Sequence, residues 1–165
     1  MEVVECHITV EGIEDFVADL GAIGEEYGVA VQAIDARYVV DETHLRRAVE
    51  LADRAFDRGE AIARERSVEI LLFAAGTRQI DRALELGVEA GEHPAVVVVA
   101  GEGDEAAAAA AVRALDSVSP AATLGDYDGA RVRSWFDVGE AELAATDAGL
   151  AELVHERVAL LTVER

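Results

Sequence analysis

The order of apolar and polar residues divides the first third of the chain into strands and helices. Within residues 3–10, apolar and polar side chains alternate from Val4 to Val10, which predicts a half-buried strand. From residue 13 to residue 28 the apolar residues recur at helical spacing, and residues 29–34 are a second strand candidate. Asp41 stands where the N-cap of a long helix would be, and apolar residues at helical spacing continue that helix to about residue 58.

The last part of the chain continues this alternation. Residues 95–100 are almost entirely valine and alanine, which predicts a buried strand, and Asp104 is placed to cap an alanine-rich helix over residues 106–115. The remaining segments are predicted as an irregular surface stretch at 117–129, a strand at 131–138, helices at 140–145 and 150–156, and a last strand at 158–163.

The stretch around which these elements are arranged is residues 68–88. The apolar run Ile70–Phe73 predicts a buried strand, and Gly76 follows it as a turn into a helix that Thr77 caps and Gly87 ends. Free N–H groups at the start of such a helix, with Arg78 and Gln79 beside them, would suit a phosphate or carboxylate. An ordinary strand–turn–helix without a ligand explains the same pattern.

Together these elements predict one domain over residues 1–165. The expected fold class is α/β, with a mixed, largely antiparallel sheet of roughly six strands flanked by about six helices.

Charge is the most unusual property of the composition. There are 34 acidic residues against 14 basic ones, a net charge of −20, and every basic residue is arginine. The hydrophobic fraction of 52% argues against intrinsic disorder. This balance is typical of a salt-accumulating archaeon, in which high charge maintains solubility and salt screens self-repulsion. A metal-sequestering acidic protein is the alternative, but no segment has the spacing of a calcium loop.

Candidate catalytic chemistry is sparse in the sequence. The single cysteine, Cys6, falls on the inward side of a predicted strand and fits a reducing cytoplasm. The four histidines are scattered, so no zinc site or other cofactor is predicted, and Gly101–Asp104 lacks the third glycine of a dinucleotide loop. The sequence shows no signal peptide and no apolar run of about 20 residues, so no membrane association is predicted. These observations favour a non-catalytic binding subunit, with a small enzyme using unrecognised carboxylates as a further hypothesis.

The wording of the central stretch carries a resemblance to a known family. The segment E-I-L-L-F-A-A-G-T-R-Q-I, with the ending E-R-V-A-L-L-T-V, resembles the small subunit of the KEOPS complex, the TPRKB-like family that binds a kinase-like ATPase. The resemblance covers most of the chain. It implies a cytoplasmic subunit without catalytic residues that docks on and stimulates that ATPase. It also implies a role in holding tRNA by its 3′ end for N6-threonylcarbamoyladenosine modification, with no DNA partner. The alternative is a sensor that binds an anion or small ligand at Gly76–Gln79.

A docking subunit needs an apolar surface, and the C-terminal helix is the candidate for it. Leu150, Leu153 and Val154 share this short helix, and Glu152 and Glu156 occupy its other faces. The competing interpretation is that these three apolar residues face the core.

The distribution of arginines gives an RNA-binding candidate that is independent of the resemblance. Residues 37–82 contain nine arginines and nine acidic residues and are neutral, so the whole net charge lies elsewhere. Because a polyanion is repelled by a net charge of −20, RNA binding requires such a neutral region. The predicted RNA-binding residues are Arg46, Arg47, Arg64, Gly76, Thr77, Arg78 and Gln79. The alternative is that the arginines pair with acidic residues along one helix.

Overall fold

The computed structural model describes residues 1–162, which form a four-stranded sheet with helices on both faces. All pairings in this sheet are antiparallel, and the spatial order is β2-β3-β1-β4. The strands are β1 (Glu2–Val10), β2 (Ala30–Asp35), β3 (Gly91–Ala100) and β4 (Val118–Pro120). Val96 to Val99 of β3 are fully buried because both faces of this interior strand are covered. The predicted α/β fold is therefore confirmed.

Eight α-helices are present in residues 1–162, and two short 3-10 turns accompany them. The helices α1 and α5 cover one face of the sheet, while α2 and α3 cover the other. The side chains of Asp41 and Asp104 accept the N–H groups of His44 (2.8 Å) and Ala107 (3.0 Å), which confirms both predicted N-caps. The helices are α1 (Ile13–Tyr27), α2 (Glu42–Asp57), α3 (Arg66–Ala75), α4 (Ile80–Ala83), α5 (Glu105–Arg113), α6 (Gly129–Trp135), α7 (Glu140–Ala145) and α8 (Leu150–Leu160).

The strand predicted at Ile70–Phe73 is wrong: these residues lie in the middle of helix α3. From Glu69 to Ala75 every residue of α3 is buried, because the helix has β2 on one side and other helices around it. A helix buried on all sides shows no polar face, so periodicity cannot distinguish it from a buried strand. The leucines and alanines of the run have high helix propensity, which decides the outcome.

Two further strand predictions are also wrong. Residues 131–138 form the end of α6 and the turn after it, with Val132 and Phe136 one helical turn apart on the buried side. The segment predicted as a strand at 158–163 continues α8 to Leu160, and Val163 lies outside the described residues. Apolar residues two or four positions apart, such as Val132, Phe136 and Val138, are compatible with a strand as well as with a helix. The described chain therefore has four strands, fewer than the six expected.

The glycines at 101 and 103, which give this segment its likeness to a nucleotide loop, have a packing role. Gly103 donates its N–H to the carbonyl oxygen of Gly28 (3.2 Å), where α1 turns into β2. A Cβ atom at Gly103 would collide with the carbonyl oxygen of Tyr27. Only glycine lets the two backbone segments approach this closely.

Candidate functional site

Helices α2 and α3 form an antiparallel pair whose two ends carry the candidate residues. At one end His44 Nε2, near the start of α2, lies 2.8 Å from the carbonyl oxygen of Ala74 at the end of α3. At the other end Arg66 Nη1 donates to Asp53 Oδ1 at 2.5 Å. The carboxyl end of α3 is therefore beside the amino end of α2.

His44 has a structural role at this first end. Its ring is fully buried; Nδ1 accepts the N–H of Val40 (3.3 Å), and Nε2 donates to Ala74. Burial lowers the pKa of His44 from 6.5 to about 4, an effect larger than the opposing hydrogen bond to the Ala74 carbonyl. The imidazole is consequently neutral near pH 7 and joins the two helices.

The turn between α3 and α4 does not have the geometry of an anion site. Gly76, at φ 65°, ends α3, and the N–H of Thr77 donates to the carbonyl oxygen of Leu72 (3.2 Å). The N–H of Gln79 donates to Thr77 Oγ1 (3.2 Å). These backbone donors are already engaged, and the turn lies at the negative end of the α3 dipole. Helix α4 has only four residues, so the predicted strand–turn–helix basis for a phosphate site is absent.

The structure brings three of the four predicted RNA-binding arginines to the same end of the α2–α3 pair. Arg46, Arg47 and Arg78 are exposed there, although Arg46 Nη2 bonds Glu42 Oε1 at 2.7 Å, as the helix-pairing alternative expected. Arg47 and Arg78 form no ion pair within residues 1–162. Arg64 is exposed beyond the opposite end of α3, whose ten residues span about 15 Å.

Next to Arg78 lies a surface that the sequence did not reveal, formed by Tyr38, Arg82, Arg131 and Trp135. We call it the arginine–aromatic surface. The guanidinium of Arg82 lies 4.4 Å from the centre of the Trp135 ring, and that of Arg131 lies 5.9 Å from the Tyr38 ring. The two rings meet edge to face with centroids 5.7 Å apart. Trp135 and Tyr38 are both half-buried, so part of each residue remains accessible to solvent.

Trp135 attaches this surface to the carboxyl end of α3, because its Nε1 donates to the carbonyl oxygen of Ala75 (2.9 Å). The four residues come from three distant segments, so the sequence alone could not place them together. The one available signal was the four-residue spacing of Arg131 and Trp135, which places both on one side of a helix. This signal was missed because residues 131–138 were predicted as a strand.

The predicted partner-binding residues of α8 occupy different environments. Leu153 and Val154 are buried in a cluster with Val132 and Phe136 of the α6 region, whereas Leu150 is half-buried at its edge. Of the large apolar residues on α8, Leu160 is the most exposed, at 42%. A kinase contact at Leu153 or Val154 therefore stays a prediction that requires support from exposed neighbours.

Polar contacts fix α8 against the rest of the chain. His155 Nε2 lies 2.8 Å from Asp41 Oδ1, at the N-cap of α2, and Arg157 Nη2 bonds Glu142 Oε1 at 2.6 Å. The Glu142 carboxylate raises the pKa of Arg157 above its ordinary value, chiefly through this hydrogen bond. The helix thus presents a fixed outer face bearing Glu152, Glu156 and Leu160.

Other chemistry is limited in the described part of the chain. Cys6 is fully buried, and burial raises the pKa of its thiol to about 11, which keeps it protonated and unreactive. Residues 1–162 contain no cluster of three or more side chains suited to holding a metal ion. Within the same range, none of the helices has the length and apolar character needed to cross a membrane.

Comparison with known proteins identifies the family. The family model described as "Kinase binding protein CGI-121" matches residues 15–162, which include all of the fold except β1 and the first two residues of α1. No individual curated protein matches the chain. The match confirms the family that the central stretch and the C-terminal ending resemble. The chain therefore belongs to the CGI-121 family of kinase-binding proteins.

Proposed function

We propose that this protein is a non-catalytic regulatory subunit of a cytoplasmic KEOPS complex. In that role it docks on and stimulates the kinase-like ATPase and helps to hold tRNA by its 3′ end for N6-threonylcarbamoyladenosine modification. The kinase-binding family supports the first part of this role. The observation that carries the second part is the arginine–aromatic surface beside Arg78.

The chemistry of this surface suits a single-stranded nucleic acid end. Arginines attract phosphates, and the accessible parts of aromatic rings and guanidinium planes stack on unpaired bases. Tyr38, Arg78 and Arg82 also belong to the neutral segment of a chain whose other residues carry the entire net charge of −20. Repulsion of a polyanion is therefore weakest here.

A non-catalytic role is supported by the state of the potential nucleophile and base. Cys6 is a buried, protonated thiol, and His44 uses both ring nitrogens within the fold. Exposed carboxylates are numerous, but their number follows from the overall acidity of the chain.

The RNA site is tested by reversing its charge. Arg78→Glu combined with Arg82→Glu is expected to lower tRNA affinity by about tenfold or more, because two phosphate-attracting groups become repulsive. The matched control is Arg54→Glu with Arg113→Glu, which makes the same charge change at exposed positions elsewhere. Affinity is measured by filter binding, and Arg64→Glu reports separately whether the RNA path extends along α3.

The role of the 3′ end is tested in the same assay. Removing the 3′-terminal nucleotides should weaken binding to the wild type but cause no further loss in the Arg78/Arg82 variant, because both changes remove the same contact. Independent, additive losses would contradict the assignment of this surface to the 3′ end. Equal losses in the matched control would show that only net charge matters.

Docking on the kinase is proposed to involve the outer face of α8 with Leu160, together with Leu150 at the edge of the buried cluster, while Leu153 and Val154 support this surface from below. Leu160→Glu should reduce co-purification with the kinase-like subunit and lower the stimulated ATPase rate, with an unchanged thermal midpoint. Val17→Glu is the matched control, since Val17 is an exposed apolar residue of α1 on the other face of the sheet. Full binding by the Leu160 variant would move the interface elsewhere.

A further inference from the structure

At the β2 edge of the sheet there is an open groove of ≈ 1060 Å³ that the proposed function does not use. One wall is the outer side of α1, where Ala18 and Ala22 have small side chains and Gly21 has none. The opposite wall is the start of α3, and the floor includes Val29–Val31. The small residues of α1 leave room for another chain against the sheet.

Among residues 1–162, no other strand pairs with the outer side of β2. The N–H of Thr9 in β1 donates to the carbonyl oxygen of Ser117, next to β4 (2.9 Å). Successive residues of a strand direct their backbone N–H and C=O groups to opposite neighbours, so this bond fixes the pattern across β1, β3 and β2. The backbone groups of Gln32 point toward β3, and those of Val31 and Ala33 point toward the open edge. The side chain of Gln32 bonds the carbonyl oxygen of Ala33 (2.9 Å) and closes the edge there, which leaves Val31 at the groove.

The charge of the groove is strongly negative. It is lined by the carboxylates of Glu25, Asp57, Glu65 and Glu102, none of which forms an ion pair within residues 1–162. Among the described residues that line the groove, the one cation is Arg66, which is already bonded to Asp53 and lies over the Phe56 ring. A ligand of complementary charge is therefore basic.

We propose that this groove binds an extended, arginine- or lysine-rich segment of a partner protein. The segment lies against the β2 edge, with its backbone hydrogen-bonded to Val31 and its basic side chains directed to the surrounding carboxylates. A second copy of this chain does not suit the site, because pairing two β2 edges would bring the same carboxylates face to face. The kinase-docking and RNA-binding proposals use other surfaces and do not depend on this one.

The test uses fluorescence anisotropy with a labelled peptide of about ten residues that alternates arginine and valine, in about 0.5 M potassium chloride to screen non-specific attraction. The wild-type protein is expected to bind this peptide and not the matching glutamate–valine peptide. Gly21→Leu should reduce affinity by about tenfold, since a Cβ atom at Gly21 would meet no atom within 4 Å and Gly21 lines the groove, which a leucine would fill. Ala110→Leu, at an exposed site on α5, is the matched control and should bind normally.

Two further measurements test two points. The first is whether binding depends on the groove rather than on the general acidity of the protein, and the second is whether it depends on backbone pairing as well as on charge. Glu25→Arg with Glu102→Arg should weaken binding, whereas Glu85→Arg with Glu152→Arg, at exposed sites elsewhere, should not. A peptide N-methylated at alternate residues should bind more weakly because it cannot pair with Val31. Equal binding by the Gly21 and control variants, equal loss in both charge-reversed pairs, or unchanged binding of the methylated peptide would each overturn the proposal.

Discussion

Leu153→Glu is expected to unfold the protein rather than to remove only a docking contact. Leu153 is 5% exposed in the cluster with Val132, Phe136 and Val154. Losing a buried leucine costs about 2–5 kcal/mol, and an unpaired buried carboxylate adds several more. The sum is comparable with the total stability of a typical domain, about 5–15 kcal/mol. Urea unfolding followed by circular dichroism measures the effect.

Two controls make this result interpretable. Leu153→Met conserves volume and should cost less than about 1.5 kcal/mol. Val17→Glu introduces the same charge at a residue that is 57% exposed and should change stability by about 0.5 kcal/mol or less. A Leu153→Glu protein that unfolds like the wild type but fails to bind the kinase would instead place Leu153 directly in the docking surface.

Acidification is expected to destabilise the protein through His44. The pKa of this histidine is about 4 in the fold and 6.5 when unperturbed, so the unfolded chain binds a proton more readily. The contribution of neutral His44 is fully present above pH 6.5 and is lost as the pH falls to about 4. The difference between the two pKa values corresponds to about 3 kcal/mol.

The measurement compares the wild type with His44→Asn in urea from neutral pH down to about pH 4. The many carboxylates titrate in both proteins, so the difference between the two free energies of unfolding isolates the histidine. We expect the wild type to lose its advantage over the variant as the pH falls. A difference that does not change with pH would show that the pKa of His44 is the same in the folded and unfolded states.

Sequence reasoning succeeded where a segment has one buried and one exposed face. The alternation of β1, the amphipathic α2 and both aspartate caps were predicted because local pattern and tertiary environment agree there. It failed at α3 because burial on all sides removes the polar face that identifies a helix. The same pattern ambiguity turned α6 and the end of α8 into predicted strands.

The candidate site was only partly accessible to sequence for a different reason. The neutral, arginine-bearing segment could be found by counting charges, and it contains Arg78 and Arg82. The partnership of Trp135 with Arg82 could not, because it depends on how α6 packs over the end of α3. The burial of Leu153 likewise depends on α6, whose helical state was not predicted.

The pairing of β1 imposes an order on events during synthesis. Both strands that flank it lie far downstream: β3 occupies Gly91–Ala100, and β4 begins at Val118. Strand β1 therefore stays unpaired until the about 80 residues that separate it from β3 have been translated, while the helices α2 and α3 need only local sequence to associate. In β1 the polar residues Glu5, His7 and Thr9 alternate with apolar residues, which lowers the tendency of the unpaired strand to aggregate.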